Sequence, residues 1–400
     1  MNTSQPEMPS QLLVLNSGSS SIKFAVYDLA EQQIASGKLI RIGQTTGAFE
    51  RTDGHQTNTD ALALPNHMAA LNVLFDWLHQ QSHLHIGAVG HRIVHGGERY
   101  WTPERVTARL LADLRLLIPL APDHLPAEIS LIEAVAAQYP QLPQVVCFDT
   151  AFHHSMPALA RRLPLPRYLA EEGVMRYGFH GLSYAYVLDQ LRKEAGDDVA
   201  NGRVVLAHLG NGASMAAVRQ GKCMDTTMGF TPTGGLMMGT RTGDLDPGVV
   251  LYLLNHREVE SSELSRLLND ESGLLGVSGT SSDMQMLLQL EPDQPAAAEA
   301  IALFGYLAAK QLGALVTVLN GLDTLVFTGG IGENAPTIRT RICERLAYLG
   351  VMLDPARNQA SEAIISPNGH WPVVRVIPTD EEVMIARYTR QVLHLRDVTF

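Results

Sequence analysis

Cysteine is scarce: three occur in 400 residues, Cys147, Cys223 and Cys343, an odd number with no C-x-x-C spacing. That excludes a disulfide-stapled scaffold and a thiolate zinc or redox motif, and it points to a reducing, cytoplasmic compartment. Positive charge is also short, with 30 Lys and Arg against 41 Asp and Glu for a net −11. Neither nucleic acid nor a membrane surface is therefore an expected partner, and the basic groups that matter must be few and locally placed. The N-terminal run MNTSQPEMPSQ has no basic n-region and no apolar h-region, so no secretory signal is expected. No membrane span is expected either: the longest apolar stretch, 296–319, carries Glu299, Lys310 and Gln311 and repeats its apolar residues at helical spacing, as a core helix does. The Walker pattern G-x-x-x-x-G-K-[ST], the Rossmann G-x-G-x-x-G, H-E-x-x-H and the hydrolase elbow G-x-S-x-G are all missing. A P-loop NTPase, a dinucleotide dehydrogenase, a zinc protease and a serine hydrolase are disfavoured accordingly.

What is present is an ordinary globular composition, 46% hydrophobic and 18% charged with 34 Gly and 21 Pro, at a length that suggests two domains. LLVLNSGSSSIKFAVYDL (12–29) reads as a β-hairpin with a polar, Gly-containing tip, and VVLAHLGNGASMAAVRQG (204–221) repeats its grammar. A shift of 192 places Gly18 on Gly210, Ala25 on Ala217 and Val26 on Val218. Two domains of one fold, each opening with this hairpin, explain the offset economically; chance similarity of two Gly-tipped hairpins is the alternative. Strand-like IGAVGHRIVHGG (86–97) and QVVCFDTAF (144–152) alternate with the helical LPAEISLIEAVAAQYP (125–140), and later strands again alternate with helices, so the class is α/β. A boundary is expected near 150–160, and a last helix from about Glu382 crosses back onto the first domain, giving 1–151 plus 383–400 and 152–382.

Three Gly/Ser/Asn-rich turns each follow an apolar strand: Asn16 to Lys23, Gly210 to Ser214 and Thr328 to Asn334. Glycines let backbone N–H groups approach an anion, and the third turn precedes a helix whose N-terminus adds partial positive charge. Steric turns look the same singly, but three in one chain suggest a polyphosphate cradle, with the hydroxyls of the serine run 19–21 as further phosphate ligands. Arg92 in GHRIVHGGERY and Arg241 in MMGTRTGDLDPG suit bidentate contact with carboxylate or phosphoryl oxygens; for Arg241, pinning a loop against Asp244 or Asp246 is the plain alternative. Arg99 and Arg105 read as loop salt bridges, and Met237 and Met238 as core. Of the histidines at 91, 95, 124, 153, 154 and 180, none belongs to a ligand triad, while His180 in YGFHGLSY is placed to face an anionic transition state. Asp149, ending the strand QVVCF, either orients a reacting group or caps the next turn. Glu381 and Glu382 stand at a helix start, as partners of its dipole or, one of them, as a Mg²⁺ position reached through water.

These stretches, VLNSGSSSIK (14–23), GHRIVHGG (90–97), CFDTAFHHSMP (147–157), RYGFHGLSY (176–184), HLGNGAS (208–214), GFTPTGGLMMGTRTGDLDPG (229–248), FTGGIGEN (327–334) and IPTDEE (377–382), closely resemble the acetate kinase family, in family order and over nearly the whole chain. The resemblance implies two duplicated actin-like (ribonuclease H-like) domains, a nucleotide in the interdomain cleft, and a homodimer. It implies reversible Mg²⁺-dependent transfer of a phosphoryl group from ATP to acetate, giving acetyl phosphate and ADP, with Mn²⁺ an admissible substitute; propionate or butyrate as acceptor, or a conformational ATPase on the same fold, are the alternatives. Carried over by position, Asn16 and Glu381 are associated with Mg²⁺; Arg92 and Arg241 hold the carboxylate and the moving phosphoryl group; His180 stabilises the transition state; and Asp149 is the orienting or acid/base carboxylate. Val94, Phe179 and Pro232 match the acyl pocket and His124 a further active-site histidine, while Lys23, His208, Leu209, Gly210, Asn211, Gly212, Asp283, Gly330, Ile331, Gly332 and Asn334 fall at nucleotide-binding positions. The chain departs from the family at Asp123, where an apolar residue is usual, at Leu125, commonly Asn, and at Gln285, often Arg. Acyl-chain preference and purine selectivity are the properties these departures touch.

Overall fold

A computed structural model describes residues 11–395 apart from Ser19 and His55, and of Asp53 only the backbone. The first ten residues, on which the expectation about a signal rests, and Ser19 of the serine run lie outside the described residues. The chain divides into two compact units, one running to Ala151 and resuming at Asp380, the other Phe152–Thr379. Glu381 and Glu382 thus belong to the first unit, not to the second where the sequence division left them.

The first unit is built on a sheet of β1 (Gln11–Ser17), β2 (Ser21–Asp28), β3 (Gln33–Ile40), β4 (Gly47–Asp53), β5 (Gln56–Leu62), β6 (Ile86–Ile93), β7 (Glu104–Arg105) and β8 (Gln144–Phe148), in the order β5-β4-β3-β2-β1-β6-β8-β7. The meander β1 to β5 is antiparallel; β6 joins β1, and β8 joins β6, in parallel. Alternating apolar residues put Leu13, Leu15, Phe24, Val26 and Leu39 into one core with Leu71, Leu74 and Trp77 of the helix His67–Gln80. The C-terminal helix, Glu381–Val392, lies against β6 and β8. Gly90 on β6 permits that approach, since a Cβ there would sit 2.3 Å from Thr389 Oγ1 and 2.6 Å from Ile385 Cγ2.

The second unit repeats the plan with β9 (Arg203–Leu209), β10 (Ala213–Arg219), β11 (Lys222–Thr226), β12 (Thr324–Thr328) and β13 (Val373–Val376), ordered β11-β10-β9-β12-β13. Again the opening hairpin is antiparallel, while β12 joins β9 and β13 joins β12 in parallel, so the core plan of the first unit recurs. The register corrects one detail of the expected repeat. Val14 faces Ala25, whereas Leu206, 192 residues beyond Val14, faces Ala216. Ala25 and Val26 therefore correspond to Ala216 and Ala217, because four residues (18–21) separate the last paired positions of the first hairpin and three (210–212) those of the second. The stretch 296–319 is the helix Pro295–Leu319, which buries Ala297, Ala300, Ile301, Phe304, Ala308, Leu312, Leu315 and Leu319 on one face. Two other expectations shorten: β8 stops at Phe148, and GGIGEN is no turn but a short helix, Gly329–Asn334, beginning directly after β12.

Candidate active site

Parallel strands end at a common sheet edge, where side chains escape the ladder and loops take over. In the first unit that edge gathers Arg92 from the end of β6 and Asp149 just after β8, with the guanidinium Nη2 donating to Asp149 Oδ2 at 2.5 Å. Glu128, a buried carboxyl within the helix Leu125–Gln138, accepts the Val94 N–H at 3.0 Å through Oε2 and holds Oε1 3.8 Å from Arg92 Nη1. Burial resists the charge on Arg92, but Asp149, Glu381 and Glu128 together hold its proton more firmly than usual. The same burial raises the carboxyls: Glu128 to about 8 against the pull of Arg92, Glu381 to about 7 with Asp149 adding to it, and Asp149 upward despite Arg92. Asn16, at the end of β1, reaches Glu382 Oε1 through Nδ2 at 3.5 Å. Asp380 caps the C-terminal helix on the Val383 N–H and accepts from the Tyr27 hydroxyl at 3.3 Å, which fixes where Glu381 emerges. Lys23 is exposed and borders a depression of about 310 Å³ with Glu382, Lys38 and Arg51. His124 is the half-buried N-cap residue of the helix carrying Glu128, and Asp123 beside it is exposed.

The donors here are hard oxygens, as a magnesium ion prefers: the Asn16 amide, the Glu381 carboxyl and Asp149 Oδ1, a buried atom with no hydrogen-bond partner among the described residues. No grouping of three or more His, Cys, Asp or Glu in metal-holding array occurs among the described residues. The residues fit Mg²⁺ that keeps most of its shell as water and phosphate oxygen.

In the second unit, His180 is held in the left-handed conformation (φ 59°, ψ 25°) immediately before the helix Gly181–Ala195. Its Nδ1 meets Ser214 Oγ at 2.9 Å, and its ring stacks on that of His208 at 4.3 Å. His208 Nδ1 meets Ser183 Oγ at 2.8 Å. Gly212 lies between His180 and Arg241: a Cβ there would be 3.2 Å from His180 Nε2 and 3.9 Å from Arg241 Nη1. The Arg241 Nη1 donates to the Pro232 carbonyl at 3.2 Å. Asp244 and Asp246 are engaged otherwise, Asp244 by the Gly235 N–H and Gln311, Asp246 as cap of the helix Pro247–His256. Phe179 is buried, and its carbonyl accepts from His153 Nε2, whose pKa burial lowers to about 4.

A cavity of about 750 Å³ opens beside these groups in the same unit, lined by Gly210, Asn211, Ser282, Asp283, Met284, Gln285, Leu288, Gly330, Ile331, Asn334 and Ala335. Of the expected nucleotide positions, Gly210, Asn211, Asp283, Gly330, Ile331 and Asn334 line it. His208 instead backs His180; Leu209 is wholly buried, its carbonyl packed under Gly329; and Gly332 is buried against β9. Asp283 spends Oδ1 on the N–H groups of Gln285 and Met286, capping the helix Met284–Leu290. Two residues escaped the sequence reading, Glu128 and Arg339. The Arg339 guanidinium is fully buried and donates to the carbonyls of Gly332 and Glu333, to Asn358 and to Ser361, so it fastens the end of the Gly329–Asn334 helix. Glu333 fastens the start by accepting the N–H groups of Gly329 and Thr379.

Comparison with known proteins decides the affiliation, for the Acetokinase family matches residues 11–387. The chain belongs to that family. It is a kinase, a phosphotransferase whose family uses ATP and ADP with a carboxyl acceptor. An acetate kinase of Rhodopseudomonas palustris (strain ATCC BAA-98 / CGA009) is 50% identical over 95% of this chain and 98% of its own, and one of Symbiobacterium thermophilum is 42% identical over 96% and 100%. Among solved structures, a propionate kinase from Francisella tularensis superposes with a TM-score of 0.92 at 38% identity, covering 96% of this chain and 100% of its own. The Porphyromonas gingivalis acetate kinase gives 0.86 at 36%, with the same coverage.

Proposed function

We propose that the protein moves a phosphoryl group reversibly between ATP and acetate, with Mg²⁺, by direct in-line transfer. The observation that carries this reading is the 750 Å³ cavity bordered by two glycine segments, Gly210-Asn211 and Gly330-Ile331, within the unit that also presents His180 and Arg241. Such a cavity suits a nucleoside triphosphate whose phosphates face small, backbone-exposing residues. Phe152–Thr379 is then the nucleotide domain, and the unit holding Arg92 supplies the acid's anchor. The chemistry needs placement and positive charge more than a base, since a carboxylate is already nucleophilic at neutral pH. Arg92 binds the acceptor carboxylate, Asp149 keeps the guanidinium oriented, and Arg241 and His180 meet the charge on the equatorial oxygens of the moving group. Asn16, Glu381 and Asp149 would hold Mg²⁺, which would supply positive charge to the phosphate oxygens. Val94, Phe179 and Pro232 supply the apolar contacts of the acyl group.

The likeness to acetate kinases at 50% and 42% identity supports acetate as the acceptor, and Asp123 is exposed. The likeness to a propionate kinase favours propionate as the second reading. Relative kcat/KM separates the two: we expect acetate to exceed propionate and butyrate, and an optimum at a longer acid moves the assignment within the family. The enzyme works as a cytoplasmic homodimer in this reading, which the exposed apolar side chains of Leu245, Val249, Leu251 and Tyr252 support.

A further inference from the structure

Arg92 is faced by more negative charge than it can serve. Asp149 is bonded to one of its nitrogens at 2.5 Å, and Glu128 Oε1 stands 3.8 Å from another. With Glu381 also acting on it, three ionised carboxyls around one guanidinium would carry a net charge of −2 and repel an incoming carboxylate. Glu128 is the carboxyl least able to stay ionised. It is 2% exposed, its Oε2 is spent on the Val94 N–H, and its Oε1 has no hydrogen-bond partner among the described residues.

We propose that Glu128 is a positioning residue for acid binding that works as the neutral carboxylic acid, holding the Val94 backbone in place and leaving Arg92 free charge for the substrate carboxylate. This rests on the reading of Arg92 as the acid's anchor. The groups facing Glu128 are Arg92 from β6, Asp149 from beyond β8 and, through these two, Glu381 of the C-terminal helix; on its own helix Glu133 is turned to Arg115 instead. Burial puts the Glu128 proton loss at about pH 8, so acid affinity falls where that proton leaves.

The test measures KM for acetate and for ATP separately from pH 6.5 to 9 in the intact enzyme and in Glu128→Gln, Glu128→Ala and Arg92→Ala. In the intact enzyme the acetate KM should climb above pH 8, approaching about tenfold per pH unit, while the ATP KM stays level. Glu128→Gln, which keeps the acceptor for Val94 but has no proton to lose, should abolish the climb of the acetate KM above pH 8. Glu128→Ala, losing that acceptor, should raise it at every pH. An acetate KM in Glu128→Gln that climbs like the intact enzyme's, or an effect shared equally by both KM values, overturns the proposal. If Arg92→Ala keeps the parent acetate KM, the anchor reading itself has failed; if Arg92→Ala raises it while Glu128→Gln still climbs, only the role of Glu128 has. The pH profile of the intact enzyme decides the matter even if a variant does not fold.

Discussion

Buried ionisable side chains make this protein's stability a function of pH with two opposing limbs. His91, bonded to Gln144, and His153, bonded to Phe179 and Cys223, are both lowered by burial from 6.5 to about 4. They are neutral in the fold and charged in the acid-unfolded chain, so their contribution is complete above pH 6.5 and is lost as pH falls towards 4, by up to about 3 kcal/mol each. Glu128 and Glu381 are raised from 4.5 to about 8 and about 7, so they bind protons more firmly folded than unfolded. Their contribution is complete below pH 4.5 and is lost as pH rises through 7 to 8. Between 4.5 and 6.5 the two pairs offset each other; above 6.5 only the carboxyls act. Asp149, also raised by burial, acts in the same sense as these carboxyls, so the melting temperature without Mg²⁺ should not rise from pH 4.5 to 6.5 and should fall from 6.5 to 8, with Glu128→Gln reducing the fall. A melting temperature that climbs steadily to pH 8 would contradict these assignments. Arg92, Asp149, Arg241 and His180 could be proposed from the sequence as site residues because each lies in a polar or glycine-rich segment outside the regular apolar pattern. Glu128 was not, since in LPAEISLIEA it occupies an ordinary polar position of a helix, and only packing against β6 buries it.

Elements were legible where periodicity was strong, as in the long helix Pro295–Leu319 and both opening hairpins. Reading failed where one residue changes the geometry. A tip one residue longer shifts the register of β2 relative to β10, and no composition signal reports it. GGIGEN reads as a turn because glycine disfavours helix, yet Glu333 at its start and Arg339 at its end supply hydrogen bonds that override propensity. The segment before His180 is equally constrained. Gly178 has φ 77°, and a Cβ there would lie 2.6 Å from the His153 ring and from Thr226 Cγ2. Gly178→Ala should thus lower the melting temperature by several degrees and reduce kcat, as His180 two residues later is displaced, whereas Gly196→Ala, with φ 89° but open space around it, bears only the backbone strain of about 1–2 kcal/mol. Equal melting temperatures for the two variants would refute this account of the turn.

For the whole molecule, duplication is the organising fact. A common five-strand core, an antiparallel opening meander followed by two parallel strands, appears in both units. The 192-residue offset suggested that duplication without deciding it against chance, and the family resemblance implied the chemistry; which side chains are buried together came only from the fold. In the proposed reaction the phosphoryl group passes directly to a carboxylate. Acyl phosphate trapped as hydroxamate, from MgATP with acetate, with propionate and with no acid, tests it most directly. Trapped product should require an acid, be greatest with acetate, and vanish in Arg241→Ala while that variant keeps the parent melting temperature. Loss of ATP without acid and without trapped product would contradict the account and make this chain a conformational ATPase.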